Sequence, residues 1–92
     1  MQTRVVNKFK EPYGVYIGRG SEWGNPFTVE DHGREEAIRL YEKYMRERLS
    51  KEPGLVIQLL KLRGKVLGCF CHPKPCHGDV LITLIEEYYA VS

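Results

Sequence analysis

The spacing of apolar residues predicts a long helix in the middle of the chain. Between Gly33 and Leu49, apolar side chains recur about every four positions, which places them on one helical face, while charged residues fill the other faces. The apolar residues are Ala37, Ile38, Tyr41, Met45 and Leu49. We expect this helix to be capped by Asp31 or Gly33 and to end near Ser50, ahead of Pro53.

Two more helices are predicted in the second half of the chain. Pro53 suits the first turn of a helix, and an apolar stripe follows it until Gly64. The last helix is expected from about His77 or Gly78 to Tyr89. Its core-facing stripe consists of Val80, Leu81, Leu84, Ile85 and Tyr88.

Short β-branched and apolar runs at residues 3–6, 14–17 and 65–70 predict strands. The element order is then roughly β-β-α-α-β-α. Helices interleaved with strands indicate an α/β fold class, with a small sheet of about three or four strands covered by about three helices. The order of the strands within the sheet does not follow from these patterns.

Length and charge limit the classes of protein to which the chain is expected to belong. The 92 residues are expected to form a single domain, residues 1–92. Fourteen basic against twelve acidic residues give a net charge of +2, so charge alone does not indicate a nucleic-acid partner. Neither a long apolar run nor a hydrophobic leader is present, so we expect no membrane span and a cytoplasmic protein. The oligomeric state is left open.

The chemistry-bearing residues concentrate between Cys69 and Asp79. All three cysteines fall there, unlike the spread, even-numbered cysteines of a secreted disulfide-stapled domain. Cys76 and His77 are expected at the N-terminus of the last helix, where unpaired N–H groups and a partial positive charge lower a thiol pKa and attract anions. The candidate catalytic residues are therefore Cys76, His77 and Asp79.

A zinc site is the alternative interpretation of the same segment. The three thiols of Cys69, Cys71 and Cys76, with the imidazole of His77 or His72, would supply a Cys₃His ligand set. The protein would then be a non-enzymatic binding module stabilised by zinc. Cys69 has a further alternative role, since a cysteine at the end of an apolar strand is also expected to be a simple core-packing residue.

A glycine-rich stretch from Gly18 to Phe27 is the second candidate region, and its composition predicts a long irregular loop. It lacks the Gly-Lys-Ser/Thr ending of a P-loop. Arg19 is a candidate anion clamp, Trp23 a flat stacking surface and Asn25 a partner for a base edge. The alternative for Trp23 and Phe27 is that they anchor the loop in the core. The predicted ligand-binding set is completed by Gly20, Ser21 and Gly78.

These motifs together resemble a family of small proteins from phages, bacteria and archaeal viruses, the domain of unknown function 4326. The resemblance rests on residues 17–21, 23–27, 64–65, 67–71, 73 and 76–79, with support from Ala37, Ile38 and Tyr41. It covers about residues 16–86. Phe70 stands where the family often has tryptophan, which keeps an aromatic ring. The resemblance implies that the two motifs form one site, and a host-cytoplasm location if the source is viral.

The sequence thus predicts a ligand or active site formed by the Gly18–Phe27 loop and the Cys69–Asp79 segment. Its ligand is expected to be a nucleotide or another phosphorylated small molecule, with the phosphate on Arg19 and on the N-terminus of the last helix. Whether the protein is an enzyme is left open. A third hypothesis, a host-directed viral interaction protein, rests only on the tyrosines Tyr13, Tyr88 and Tyr89.

Overall fold

The computed structural model describes residues 2–70 and 74–91. Within these ranges the chain forms strands and helices in the order β1 (Arg4–Asn7), β2 (Val15–Tyr16), α1 (Val29–His32), α2 (Arg34–Lys51), α3 (Pro53–Leu60), β3 (Val66–Cys69) and α4 (His77–Val91). The predicted α/β class and the rough order of elements are confirmed.

The sheet has three strands in the order β1-β3-β2, and both outer strands run parallel to β3. Asn7 is paired with Cys69, and Tyr16 is paired with Gly68. All three strands therefore end at the same edge of the sheet. The loops that follow β2 and β3, which carry the two sequence motifs, leave from that edge. In parallel α/β sheets this edge is where ligands usually bind.

The helix α1 was not predicted, and the start of α2 differs slightly from expectation. The hydroxyl of Thr28 accepts a hydrogen bond from the Asp31 backbone N–H at 3.2 Å, which caps the short helix α1. Asp31 therefore lies inside α1 and does not cap α2. Gly33, with a φ of 79°, turns the chain between the two helices, in a conformation that favours glycine.

The core lies where α2 and α4 meet each other and the sheet. The predicted apolar faces of α2 and α4 are buried apart from Ile38 and Tyr88, which are partly buried and pack against the core. Gly78 permits the close approach of α4 to the sheet. A Cβ at this position would come within 2.8 Å of Val5 and 3.0 Å of Ile17. In residues 2–70 and 74–91, no helix combines the length and apolar content needed to cross a bilayer.

Candidate functional site

A cleft of about 160 Å³ opens at the carboxyl edge of the sheet, between the loop that follows β2 and the start of α4. Its walls come from both sequence motifs and from α1 and α2. The described lining residues are Gly18, Arg19, Asn25, Phe27, Thr28, Val29, Arg34, Ala37, Ile38, Phe70, Pro75, Cys76 and His77. The two motifs that sequence reasoning joined therefore do meet at one place.

Two guanidinium groups give the cleft its electrostatic character. Arg19 comes from the glycine-rich loop, and Arg34 comes from the first turn of α2. No carboxylate is among the described residues that line the cleft. Since a guanidinium presents several N–H donors in a planar fork, two of them without a neutralising acid favour an anionic ligand.

Arg34 was missed by sequence reasoning, although a signal was present. Its Nη1 donates a hydrogen bond to the Pro75 carbonyl at 3.1 Å, which ties the start of α2 to the segment before α4. A cation in the first turn of a helix opposes the helix dipole, so it is unfavourable unless another interaction compensates for it. Arg34 directly follows the helix-initiating Gly33, so its unfavourable position in the first turn of α2 was the signal of another role.

Phenylalanine rings form part of the apolar wall of the cleft. Phe27 is held by an Asx turn, in which the Asn25 side-chain oxygen accepts the Phe27 backbone N–H at 2.9 Å. The Asn25 Nδ2 donates to the carbonyl of Ala37 at 3.2 Å, which fixes the loop to α2. Phe70 follows β3 and is 47% exposed. Asn25 therefore lies at the cleft, but these two contacts use its amide to position the loop.

His77 lines the cleft, and one side of its ring is fixed by a hydrogen bond. Its Nε2 lies 2.6 Å from the Ile17 carbonyl, and because a carbonyl only accepts, Nε2 carries the proton. The ring packs edge-on against Tyr41, with centroids 5.1 Å apart. Burial lowers the pKa of His77 below its ordinary value of 6.5. The imidazole is therefore neutral at pH 7, with Nδ1 as an acceptor.

Cys76 and Asp79 cap α4 reciprocally. The backbone N–H of Cys76 donates to the Asp79 carboxylate at 3.2 Å, and the Cys76 sulfur accepts the Gly78 N–H at 3.3 Å. The Asp79 N–H bonds back to the Cys76 carbonyl. This arrangement is a capping box with a thiol in place of the usual hydroxyl. The N–H groups of Cys76, Gly78 and Asp79 at the helix start are thus already used, and the carboxylate adds a negative charge beside them.

The thiol of Cys76 differs from the reactive thiol that its helix position suggested. Burial raises its pKa from 9.0 to about 12. The hydrogen bond from the Gly78 N–H opposes this rise, whereas the neighbouring Cys69 thiol adds to it. The two sulfurs lie 3.4 Å apart, and both cysteines are buried. In the described part of the chain, no hydrogen bond joins the Cys76 sulfur to the His77 ring. The expected lowering of the thiol pKa is wrong, because burial outweighs the helix terminus.

Trp23 lies in the hydrophobic core and not on the cleft. It is 6% exposed, and its carbonyl accepts the Tyr41 hydroxyl at 2.7 Å. It therefore anchors the loop to α2, as the alternative interpretation held, and its ring offers no stacking surface. The aromatic rings that do line the cleft are Phe27 and Phe70.

The remaining predicted ligand-binding residues lie beside the cleft. Gly20 and Ser21 line a neighbouring cleft of about 380 Å³, which shares Arg19, Asn25 and Thr28 with the first. The Ser21 hydroxyl donates to the Gly18 carbonyl at 2.7 Å, within the turn that shapes the loop. Gly78 is buried under the sheet, where its lack of a side chain is needed for packing.

The predicted zinc ligands fall partly outside the described residues. Cys71 and the alternative ligand His72 lie there, whereas Cys69, Cys76 and His77 are described. In residues 2–70 and 74–91, no group of three or more His, Cys, Asp or Glu side chains is placed to hold a metal ion. The zinc site stays a prediction.

Comparison with known proteins gives a family. The family model described as domain of unknown function (DUF4326) matches residues 2–87. An uncharacterised 12.4 kDa protein of the nrdA-td intergenic region of enterobacteria phage T4 is 41% identical, over 94% of this chain and 80% of its own length. The uncharacterised protein R718 of Acanthamoeba polyphaga mimivirus is 35% identical, over 92% of this chain and 78% of its own length. No solved structure matches. The chain belongs to the DUF4326 family, as its two motifs indicated.

Proposed function

We propose that this protein binds a small anionic ligand, a nucleotide or another phosphorylated compound, in the cleft between the Gly18–Phe27 loop and the start of α4. The pair of guanidinium groups from Arg19 and Arg34, with no carboxylate among the described lining residues, is the observation that carries the proposal. Charge-assisted hydrogen bonds from arginine are the usual means of holding a phosphate group.

The apolar wall supports a ligand with a flat or apolar part beside its phosphate. Phe27 and Phe70 offer ring surfaces, and Ile38 adds an aliphatic side chain. The His77 Nδ1 is an acceptor suited to a sugar hydroxyl or a base N–H. Small-molecule pockets commonly combine a few polar groups with a largely apolar concave surface.

Binding is better supported than thiol catalysis. The neutral, buried Cys76 thiol is a poor nucleophile at pH 7, since the thiolate is the reactive form. The carboxylate of Asp79 is engaged by the Cys76 N–H. His77 remains the residue best placed for proton transfer, because it lines the cleft and is neutral.

Calorimetric titration with inorganic phosphate and a panel of nucleoside mono-, di- and triphosphates tests this function. We expect at least one nucleotide to bind, and Arg19→Gln and Arg34→Gln each to weaken that binding about 10-fold, the value of one charge-assisted hydrogen bond. Arg39→Gln is the matched control, because Arg39 is exposed, paired with Glu36 and outside the cleft.

The proposal fails if no compound of the panel binds the wild-type protein. It also fails if Arg39→Gln weakens binding as much as the two cleft variants do. Thermal unfolding of each variant shows that the comparison is made between folded proteins.

A module stabilised by zinc is the second candidate, and one observation favours it. The sulfurs of Cys69 and Cys76 lie 3.4 Å apart, close to the separation of two thiolates on one zinc ion. Elemental analysis of the purified protein tests this candidate. One equivalent of zinc, with unfolding on chelation, supports the zinc module, whereas metal-free protein with a normal unfolding transition rejects it.

A further inference from the structure

Beside the cleft, an exposed aromatic patch covers the carboxyl edge of the sheet. We define it as the exposed rings of Phe9, Tyr13 and Phe70 together with the partly buried ring of Tyr16. Phe9 follows β1 and is 74% exposed, while Phe70 follows β3 and is 47% exposed. Large rings this exposed, and grouped together, are typical of interaction sites.

The rings of the patch are held in a fixed arrangement. Phe70 lies 5.4 Å from Phe9 and 5.9 Å from Tyr16, measured between ring centroids. The side chain of Asn7 bridges the loops, because its Nδ2 donates to the Phe70 carbonyl and its Oδ1 accepts the Phe9 N–H. The two most exposed rings of the patch are thus positioned by one residue at the end of β1.

A lysine ammonium lies among these rings. The Lys8 Nζ is 4.7 Å from the ring centroid of Tyr16, 5.0 Å from that of Phe70 and 5.4 Å from that of Phe9. Cation–π attraction favours this position. The patch therefore combines flat apolar surfaces with a positive charge.

The patch and the cleft are continuous. Phe70 belongs to both, and the Tyr16 hydroxyl donates to the carbonyl of Arg19, which also lines the cleft. A cleft of about 160 Å³ is smaller than the usual range of several hundred Å³ for small-molecule pockets. A ligand held there by its phosphate extends out of the cleft, and the patch is the adjoining surface on the Phe70 side.

The distribution of charge matches a polyanion at this edge, although the total charge does not. The first twenty residues hold four basic residues and one acidic residue, and the rest of the chain holds ten basic and eleven acidic residues. The acidic residue, Glu11, is paired with Arg4. Lys8, Lys10 and Arg19 all lie beyond the ends of β1 and β2. The net charge of +2 for the whole chain does not reveal this concentration of basic residues.

From these observations we infer that the natural ligand is a single-stranded polynucleotide, one nucleotide of which occupies the cleft while an adjoining base stacks on the aromatic patch. The inference rests on the proposed function and extends it to a substrate class. Stacking of unpaired bases on aromatic rings, with lysine and arginine along the phosphates, is the general mode of single-strand recognition. A double helix hides its base faces and cannot stack in this way.

Fluorescence anisotropy with labelled oligothymidylate and oligouridylate of about twelve nucleotides tests the inference. We expect at least one strand to bind more tightly than the corresponding mononucleotide. Phe9→Ala, at an exposed position, is expected to weaken strand binding about 10-fold and to leave mononucleotide binding unchanged. Lys8→Gln is expected to reduce the slope of log affinity against log salt by about 0.7.

Two variants on or just after α3 serve as controls. Ile57→Ala removes an apolar side chain that is 58% exposed, and Lys61→Gln removes an exposed lysine. Neither residue belongs to the patch or lines the cleft. Both variants are expected to bind the strand as the wild-type protein does.

Three results would overturn the inference. The first is a strand that binds no more tightly than a mononucleotide, and the second is an equal effect of Phe9→Ala and Ile57→Ala. The third is self-association of the wild-type protein that Phe9→Ala abolishes, without strand binding, which would make the patch a contact between copies. Because Phe9 does not line the cleft, the mononucleotide titration shows separately whether the cleft itself binds.

Discussion

Arg34 and Pro75, 41 positions apart in the chain, are joined by a hydrogen bond of 3.1 Å from the guanidinium to the carbonyl. The contact sets the first turn of α2 against the segment that enters α4. A guanidinium has five N–H donors, so one bond to a carbonyl leaves others for a ligand. The same side chain therefore shapes the cleft and supplies part of its charge.

The capping role of Asp79 leads to a prediction about stability. Asp79→Ala removes the acceptor of the Cys76 N–H, and we expect the free energy of unfolding to fall by about 1 kcal/mol, as for other helix caps. Urea unfolding measures this change. Asp31→Ala is the control, because its exposed side chain makes no cap, and we expect a change below about 0.5 kcal/mol.

The ligand affinity of the Asp79→Ala variant distinguishes a capping role of this carboxylate from a role in the site. If Asp79→Ala keeps its affinity for the ligand, its role is structural, as the geometry indicates. A folded Asp79→Ala protein that no longer binds would show instead that the carboxylate belongs to the site.

The packing of Gly78 gives a second prediction. Gly78→Ala introduces a Cβ within 2.8 Å of Val5 and 3.0 Å of Ile17, so we expect a loss of about 1–3 kcal/mol in the free energy of unfolding. Gly54→Ala in α3 is the matched control, because nothing lies within 4 Å of the added Cβ. It should be neutral or stabilising by up to about 1 kcal/mol. Equal destabilisation by both changes would contradict the packing argument.

The raised thiol pKa of Cys76 predicts low reactivity. The pKa of Cys76 is about 12, and the side chains of both Cys69 and Cys76 are buried. We therefore expect both cysteines to remain unmodified when the native protein is treated with iodoacetamide at about pH 8. Unfolding in urea should expose both. Peptide mass spectrometry identifies the modified positions. Fast labelling of Cys76 in the native protein would favour the thiolate nucleophile that the sequence suggested.

His77 makes stability depend on pH in the acid range. Since burial lowers its pKa below 6.5, the folded protein binds the proton less readily than the unfolded chain. The resulting stabilisation is present above about pH 6.5 and is lost as the pH falls through the lowered pKa. Urea midpoints measured at about pH 7.5 and pH 5 should therefore differ more for the wild-type protein than for His77→Gln. Equal differences would show that His77 does not couple folding to pH.

Much of the fold follows from local sequence patterns, and the sheet order does not. The four-residue period of Ala37, Tyr41, Met45 and Leu49 defines a buried helical face directly, because each residue lies one turn from the next. Strand order depends on pairing between distant residues, such as Asn7 with Cys69. No local pattern encodes that β3 lies between β1 and β2.

The candidate site could be predicted only in part, for a related reason. The sequence located the two motifs, and the structure brings Arg19, Asn25, Cys76 and His77 together at one cleft. Composition could not tell which aromatic ring would be exposed. Trp23 is buried in the core, where its carbonyl accepts the Tyr41 hydroxyl from α2, an element distant in the sequence. Phe70, predicted as the last residue of the third strand, instead follows β3 and is half exposed.

Binding of a phosphorylated ligand between Arg19 and Arg34 can be observed residue by residue through NMR amide mapping. Titration of the ¹⁵N-labelled protein with the best-binding nucleotide is expected to shift the amides of Gly18, Arg19, Arg34 and His77, all at the cleft. The amides of α3 should stay in place. Shifts confined to α3, or no shifts at saturating nucleotide, would contradict binding at the cleft.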